Sequence, residues 1–319
     1  MVQFKKAERK KAKLRLGISG ASGAGKTYTS LLIAKGLVKD FSKVALIDTE
    51  NGSGELYSNL GEYSVATIRP PFSPDKYIEA IRAAEQAGFE VIIIDSLSHA
   101  WTGEGGLLDI HDKATRASKS SNSYAAWREV TPKHNQLIDT LLQSLSHVIV
   151  TTRAKAEYVL QDDNGRKVPK KVGMSPIFRD GLEYEMTVFL EMSQDHIATA
   201  TKDRTKLFDG KSFIPTPDTG AELLGWLEGG ADVKVNPKDA LKNIIRAGNE
   251  QSERIREILQ TQYAGRQSST LTADEAQQIL DALSRGSQRE QSNPTLYDKV
   301  PEPQGDGFLQ KPGQNGGSA

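Results

Sequence analysis

The chain has 319 residues, room for one large domain and a small appendage, and its 41 basic residues balance its 41 acidic ones. No global field therefore points to a polyanionic partner, and such a site must come from local clustering. The absence of cysteine excludes disulfides, thiolate metal sites and cysteine nucleophiles. No apolar run approaches the roughly 20 residues that span a bilayer. The N-terminus lacks an apolar signal core, so a cytoplasmic protein without membrane contact is expected, and the irregularly spaced histidines give no zinc cluster.

In chain order, residues 1–13 form a basic, polar arm, mobile or a surface helix. Residues 14–228 alternate strand-like and helix-like segments: strand "KLRLGI", a helix over 26–39, strand "KVALID", a loop from Thr49 with a helical turn near Leu56, strand "SVATI", a helix over 74–88 and strand "EVIIID". A long helix follows over 123–146, broken at Pro132, and then strand "HVIVTT". This alternation predicts an α/β fold with a mostly parallel sheet covered on both faces. Beyond Thr152, "EYVLQDDNGRKVPKKVGM" reads as a hairpin turning at Asp163-Asn164-Gly165, and "YEMTVFLEM" and "HIATATKDR" as antiparallel edge strands. Residues 236–285 form a small helical segment with helices over 237–264 and 272–285, the second opened by Thr272 and Glu275 as a capping pair. Residues 286–319, rich in Gly, Pro, Gln, Asn and Ser, read as a disordered tail.

Gly20-Ala21-Ser22-Gly23-Ala24-Gly25-Lys26-Thr27 matches G-x-x-x-x-G-K-[ST] in full, between an apolar strand and a helix. Glycines let successive N–H groups point inward at phosphate oxygens, and the helix N-terminus adds positive charge. Lys26 reaches the β- and γ-phosphates, the Thr27 hydroxyl binds Mg²⁺, and Tyr28 borders the same site. ATP and Mg²⁺ are the expected cofactors. Asp95, after four apolar residues in "VIIID", is placed to hold Mg²⁺ through water. Hydrolysis needs a carboxylate near the γ-phosphate; Ser96 follows Asp95, while "LIDTE" offers Glu50 at the end of the preceding strand.

A base at the end of "LIDTE", on the strand next to the phosphate-loop strand, and Asp-Ser in "IIDS" resemble the RecA-like recombinases, whose corresponding segments read "IDAE" and "VVDS". The resemblance implies a RecA-like P-loop NTPase core with Glu50 as the general base, Asp48 in a supporting role, and a γ-phosphate sensor at Thr152 or Arg153. It implies that Lys202 and Arg204 in "TATKDRTKLF" form a finger entering a neighbouring subunit's site, and hence a homo-oligomer, ring or filament. Two basic loops stand where that family binds DNA. Residues 113–129 carry Lys113, Arg116 and Lys119 with Tyr124 and Trp127; residues 164–181 carry Arg166, Lys167, Lys170, Lys171 and Arg179. The basic run 5–15 is expected to add nonspecific affinity or to serve a subunit interface.

The set "GASGAGKT", "DTENGSGELY", "IIDSLSHAW", "TTRAKAEYV", "KKVGMSPIFRDGLEYEM" and "KDRTKLFDG" is most similar to phage nucleotide-binding proteins, which include single-strand annealing proteins. That similarity implies an ATPase that binds single-stranded DNA and promotes annealing or recombination of phage DNA in the host cytoplasm, with a single-strand-binding protein as a candidate partner. A helicase, helicase loader or packaging motor, and a nucleotide-switched adaptor, remain alternative readings.

Overall fold

The computed structural model describes residues 6–117, 123–163, 166–231, 237–248 and 250–291, with only the backbone path for 157–172, 239, 243, 247, 250 and 284–291. Its elements are β1 (Arg15–Gly20), α1 (Lys26–Leu37), β2 (Val44–Asp48), β3 (Ser64–Thr67), α2 (Pro74–Gln86), β4 (Val91–Asp95), α3 (Ser98–Thr102), α4 (Leu107–Ala117) and α5 (Ser123–Gln143). There follow β5 (His147–Asp163), β6 (Arg166–Pro176), α6 (Leu182–Glu185), β7 (Val188–Met192), β8 (Ala198–Asp203), β9 (Ser212–Phe213), α7 (Pro217–Glu228), α8 (Pro237–Ala247), α9 (Glu250–Gln262) and α10 (Ala273–Gln291).

The strands form one sheet in the order β3-β2-β4-β5-β1-β7-β8-β9, with β6 paired to the outer length of β5. Pairings from β3 to β7 are parallel, and β8 and β9 close the edge antiparallel. The α/β fold expected from the alternation is therefore the one observed, with the antiparallel edge at its C-terminal side. β1, β2 and β4 are buried along their whole length, which is why their sequences read as continuous apolar runs. One face packs on α2 and α5 around Tyr77, Ile81, Leu137 and Leu141. The other packs on α1 and α7 around Leu31, Ile33, Leu223 and Leu227.

Helices α1 and α7 cross backbone against backbone. A Cβ on Gly36 would lie 1.9 Å from the Pro217 carbonyl oxygen, and one on Gly220 would lie 2.1 Å from that of Ile33. Glycine at both positions is what allows this approach.

Several expectations are corrected. Helix α5 runs unbroken through Pro132; Pro132 lines an open groove, where solvent can satisfy the carbonyl its missing N–H leaves free. Residues 6–13 are not helical, and the part from Arg9 onward is tied to the end of α7 and the residues after it. Lys11 N and Ala231 N bond to Ala231 O and Arg9 O at 2.9 and 2.8 Å, and the Arg9 guanidinium lies 4.9 Å over the Trp226 ring. Arg15, read as part of the basic run, is a buried strand residue. Its guanidinium donates to the carbonyls of Leu142, Ser144 and Ser146, tying β1 to the end of α5, where a cation also meets the negative end of the helix dipole. The helical segment has three helices, not two, around Leu241, Ile255, Leu271 and Ile279. Thr272 and Glu275 do form the capping box, at 2.7 and 3.2 Å. Helix α10 continues past Arg285 to Gln291, where the sequence suggested a tail; the rest of that tail, the Asn164-Gly165 turn and residues 118–122 lie outside the described residues.

Candidate nucleotide site and adjoining groove

The phosphate loop leaves β1 at Gly20 and enters α1 at Lys26. Gly23 and Gly25 have φ of 80° and 84°, a left-handed conformation that favours glycine. A pocket of about 930 Å³ opens over this loop, lined among others by Lys26, Thr27, Tyr28, Glu50, Asp95 and Arg153. Lys26 Nζ is parked on Ala21 O at 2.9 Å. Burial pushes its pKa below the ordinary lysine value, against the pull of Asp95 and Glu50.

Asp95 ends β4 beneath the loop. The Thr27 hydroxyl donates to its Oδ2, and the Thr151 hydroxyl to its Oδ1 at 2.5 Å. Burial raises the Asp95 pKa, and the two hydroxyl bonds offset this only in part. A buried carboxylate beside a hydroxyl, both hard oxygen donors, fits Mg²⁺, so Thr27 and Asp95 are the residues that would hold the ion.

Glu50 follows β2. In the sheet β2 neighbours β3 and β4 and is separated from β1 by β4 and β5, which corrects the expectation that the base sits on the strand beside the phosphate loop. What carries Glu50 to the pocket is the turn after β2. Asp48 holds that turn, accepting from Glu50 N at 2.6 Å, Gly52 N at 2.7 Å and Gly54 N at 3.4 Å. The Glu50 carboxylate accepts from Ser96 Oγ at 3.0 Å and, on both oxygens, from Arg153 Nε at 2.9 Å and the Arg153 terminal nitrogen at 2.5 Å. Burial works to raise its pKa, but the Arg153 and Ser96 hydrogen bonds and the guanidinium charge outweigh it, and the carboxyl lies below its ordinary range.

Of the two sensor positions, Arg153 enters the pocket, while the Thr152 hydroxyl is buried with no hydrogen-bond partner among the described residues. Sequence reasoning missed Thr151 and Ser96 as partners of the two carboxylates. It also missed the β7–β8 turn, where Gln194 Nε2 donates to Ser22 O at 3.2 Å and His196 closes on Gly25. Tyr28 packs on Tyr57 with centroids 5.5 Å apart, and with Leu32, Ile214 and Pro215 it makes the apolar end of the pocket.

Lys202 and Arg204 do not approach this chain's own phosphate loop. Lys202 pairs across from Phe189, which is level with Gly17 on β1, below the loop. Its ammonium binds the carbonyls of Glu183 and Tyr184, and Arg204 donates to Tyr184 O at 2.8 Å. Within one chain both cations cap the last turn of α6.

The candidate DNA residues are scattered. Lys113 pairs with Asp109 at 2.9 Å along α4, and Arg116 is exposed on the same helix. Lys119 lies outside the described residues. Arg166, Lys167, Lys170 and Lys171 lie on the β6 backbone, paired with β5. The aromatic residues do converge. Trp101 of α3 stacks on Trp127 of α5 at 6.0 Å and meets Phe178 at 5.9 Å. They line a groove of about 1020 Å³ with Tyr124, Arg128, Lys155 and Arg179.

Compared with curated proteins, the chain matches none. A family model described as "AAA domain" matches residues 12–216, from just before β1 to just short of α7, well over half of the chain. The chain therefore belongs to this AAA-domain family and has the nucleotide site of a P-loop ATPase.

Proposed function

We propose that this chain hydrolyses ATP, that its turnover is coupled to single-stranded DNA, and that it serves annealing or recombination of phage DNA. The observation carrying the hydrolytic part is Glu50, a carboxylate at the rim of the phosphate pocket held by Ser96 and Arg153. In this reading Glu50 takes a proton from water as the oxygen attacks the γ-phosphorus. The bond from phosphorus to the β–γ bridging oxygen breaks, and ADP leaves with that oxygen. Lys26 neutralises charge on the transferred group. Thr27 and Asp95 would hold Mg²⁺, which would supply neutralisation of phosphate charge. Arg153 must release Glu50 for the base to act, and a phosphate is the anion able to compete for its guanidinium.

The DNA part is supported by the continuity of β5. The strand passes from the core through Arg153 into the hairpin that pairs with the Lys- and Arg-bearing β6. Assembly as a homo-oligomer belongs to the same proposal, because Lys202 and Arg204 can meet a phosphoryl group only in another subunit. The test is ATP hydrolysis with and without a single-stranded oligonucleotide, in the wild type and in Glu50→Gln. Salt-sensitive stimulation of the wild type alone is expected. Absence of both stimulation and strand binding would refute the DNA reading and leave the ATPase.

A further inference from the structure

The aromatic groove lies across the β5–β6 base from the nucleotide pocket. Arg153 and Ala154 line the pocket, and the next residue, Lys155, lines the groove; Ile177 lines the pocket, and Phe178 and Arg179 line the groove. The two strands are joined there by Ile177 N donating to Arg153 O at 2.6 Å. One thin wall therefore serves both cavities.

Within the groove, Trp101 and Trp127 are already stacked, and the Arg179 guanidinium covers Trp127 at 5.4 Å. Tyr124 lies three residues before Trp127 on the same face of α5 and is 83% exposed, a ring that none of the described residues covers. Among the described residues of the lining, three cations, Arg128, Lys155 and Arg179, face a single carboxylate, Asp180, a net +2. A groove for an apolar helix would present aliphatic side chains; this one presents flat rings and cations. Rings stack on any base and cations follow the phosphates, which is the chemistry of single-strand binding.

We propose that this groove takes unpaired bases of a DNA single strand, stacked on Tyr124 beside the Trp101–Trp127 pair, with the flanking phosphates on Arg128, Lys155 and Arg179. The inference rests on the DNA-coupled reading above and assigns its binding site. The chain has three tryptophans, and the third, Trp226, sits apart beneath Arg9. In full-length Trp226→Phe protein, indole fluorescence therefore reports on the groove. An oligo-dT strand should quench it, while an abasic strand of equal length should bind through its phosphates without quenching. Tyr124→Ala, at an exposed position that folding does not need, should weaken oligo-dT binding about tenfold, and Arg128→Glu with Lys155→Glu should lower the salt dependence of binding. If the strand binds but quenching is equal with abasic DNA, or Tyr124→Ala changes nothing, the groove assignment is overturned and DNA binding stands elsewhere. If no strand binds the wild type, the DNA-coupled reading falls with it.

Discussion

Replacing Glu50 by Gln separates the chemistry of the pocket from its architecture. The amide keeps an oxygen to accept from Ser96 and from one Arg153 nitrogen, but turns an NH₂ toward the other, donor against donor. The ion pair it removes is partly open to solvent, with side chains 24% and 48% exposed, so its loss costs about 1 kcal/mol or less. The loss of a general base costs about 10²–10⁴ in rate, or about 3–5 kcal/mol of barrier. The rate effect should dominate by a wide margin. Phosphate release at saturating ATP and Mg²⁺ should fall at least about 100-fold. Affinity for a fluorescent ATP analogue should hold or tighten, since the freed guanidinium of Arg153 can pair with phosphate. The melting temperature should move by only a few degrees. Turnover within about threefold of wild type would show that another group activates the water, and the assignment of Glu50 would be withdrawn.

Arg153→Ala should free the same carboxylate and let its pKa rise, moving the acidic limb of the kcat–pH profile toward neutrality while kcat falls about tenfold; an unmoved limb would place Arg153 outside the chemistry. Gly220→Ala should destabilise by about 1–2 kcal/mol, because overpacking against the fixed Ile33 carbonyl lies toward the upper end of the usual range, about 2–3 kcal/mol, and helix propensity returns about 1 kcal/mol; an unchanged or raised melting temperature would refute the close crossing with α1. Burial first, then the charges of Lys13 and Arg15, push the His147 pKa down to about 3, and its Nδ1 accepts from Leu14 N at 3.1 Å. The folded state thus holds the neutral ring while the unfolded chain takes up a proton below about pH 6.5. Stability from this group is intact above that pH and is lost as pH falls toward 3, by up to about 1.4 kcal/mol per unit. Thermal melts from pH 7.5 to 5 should show a steeper decline in wild type than in His147→Gln, and equal slopes would contradict the assignment.

What was legible in the sequence follows the range of the interaction. Lys26 and Thr27 were visible because a phosphate loop is a contiguous motif, and Asp95 because a strand buried on both faces announces its own end. The Glu50–Arg153 pair joins residues 103 positions apart; the sequence offered both as candidates, but only the order β2-β4-β5 brings the ends of their strands together. Thr151 was invisible because its role follows from the β4–β5 register, in which Ile94 lies beside Val150. Arg15 was misread because a cation in a basic run looks solvated until the carbonyls at the end of α5 are in place around it. The groove joins Trp101, Trp127 and Phe178 from three separate segments, and no spacing rule links them.

The backbone contact between α1 and α7 bears on where this protein can be cut. The family match stops at residue 216, one residue before α7 begins. Yet Leu223 and Leu227 belong to the core behind the phosphate-loop helix, and the last turn of α7 and the residues beyond it hold the segment that leads into β1. A fragment ending at the family boundary would strip one side of α1 to water and release the approach to the central strand. A unit that keeps these contacts must reach at least from Arg9 to Ala231, so the border of sequence similarity and the border of this packing fall in different places.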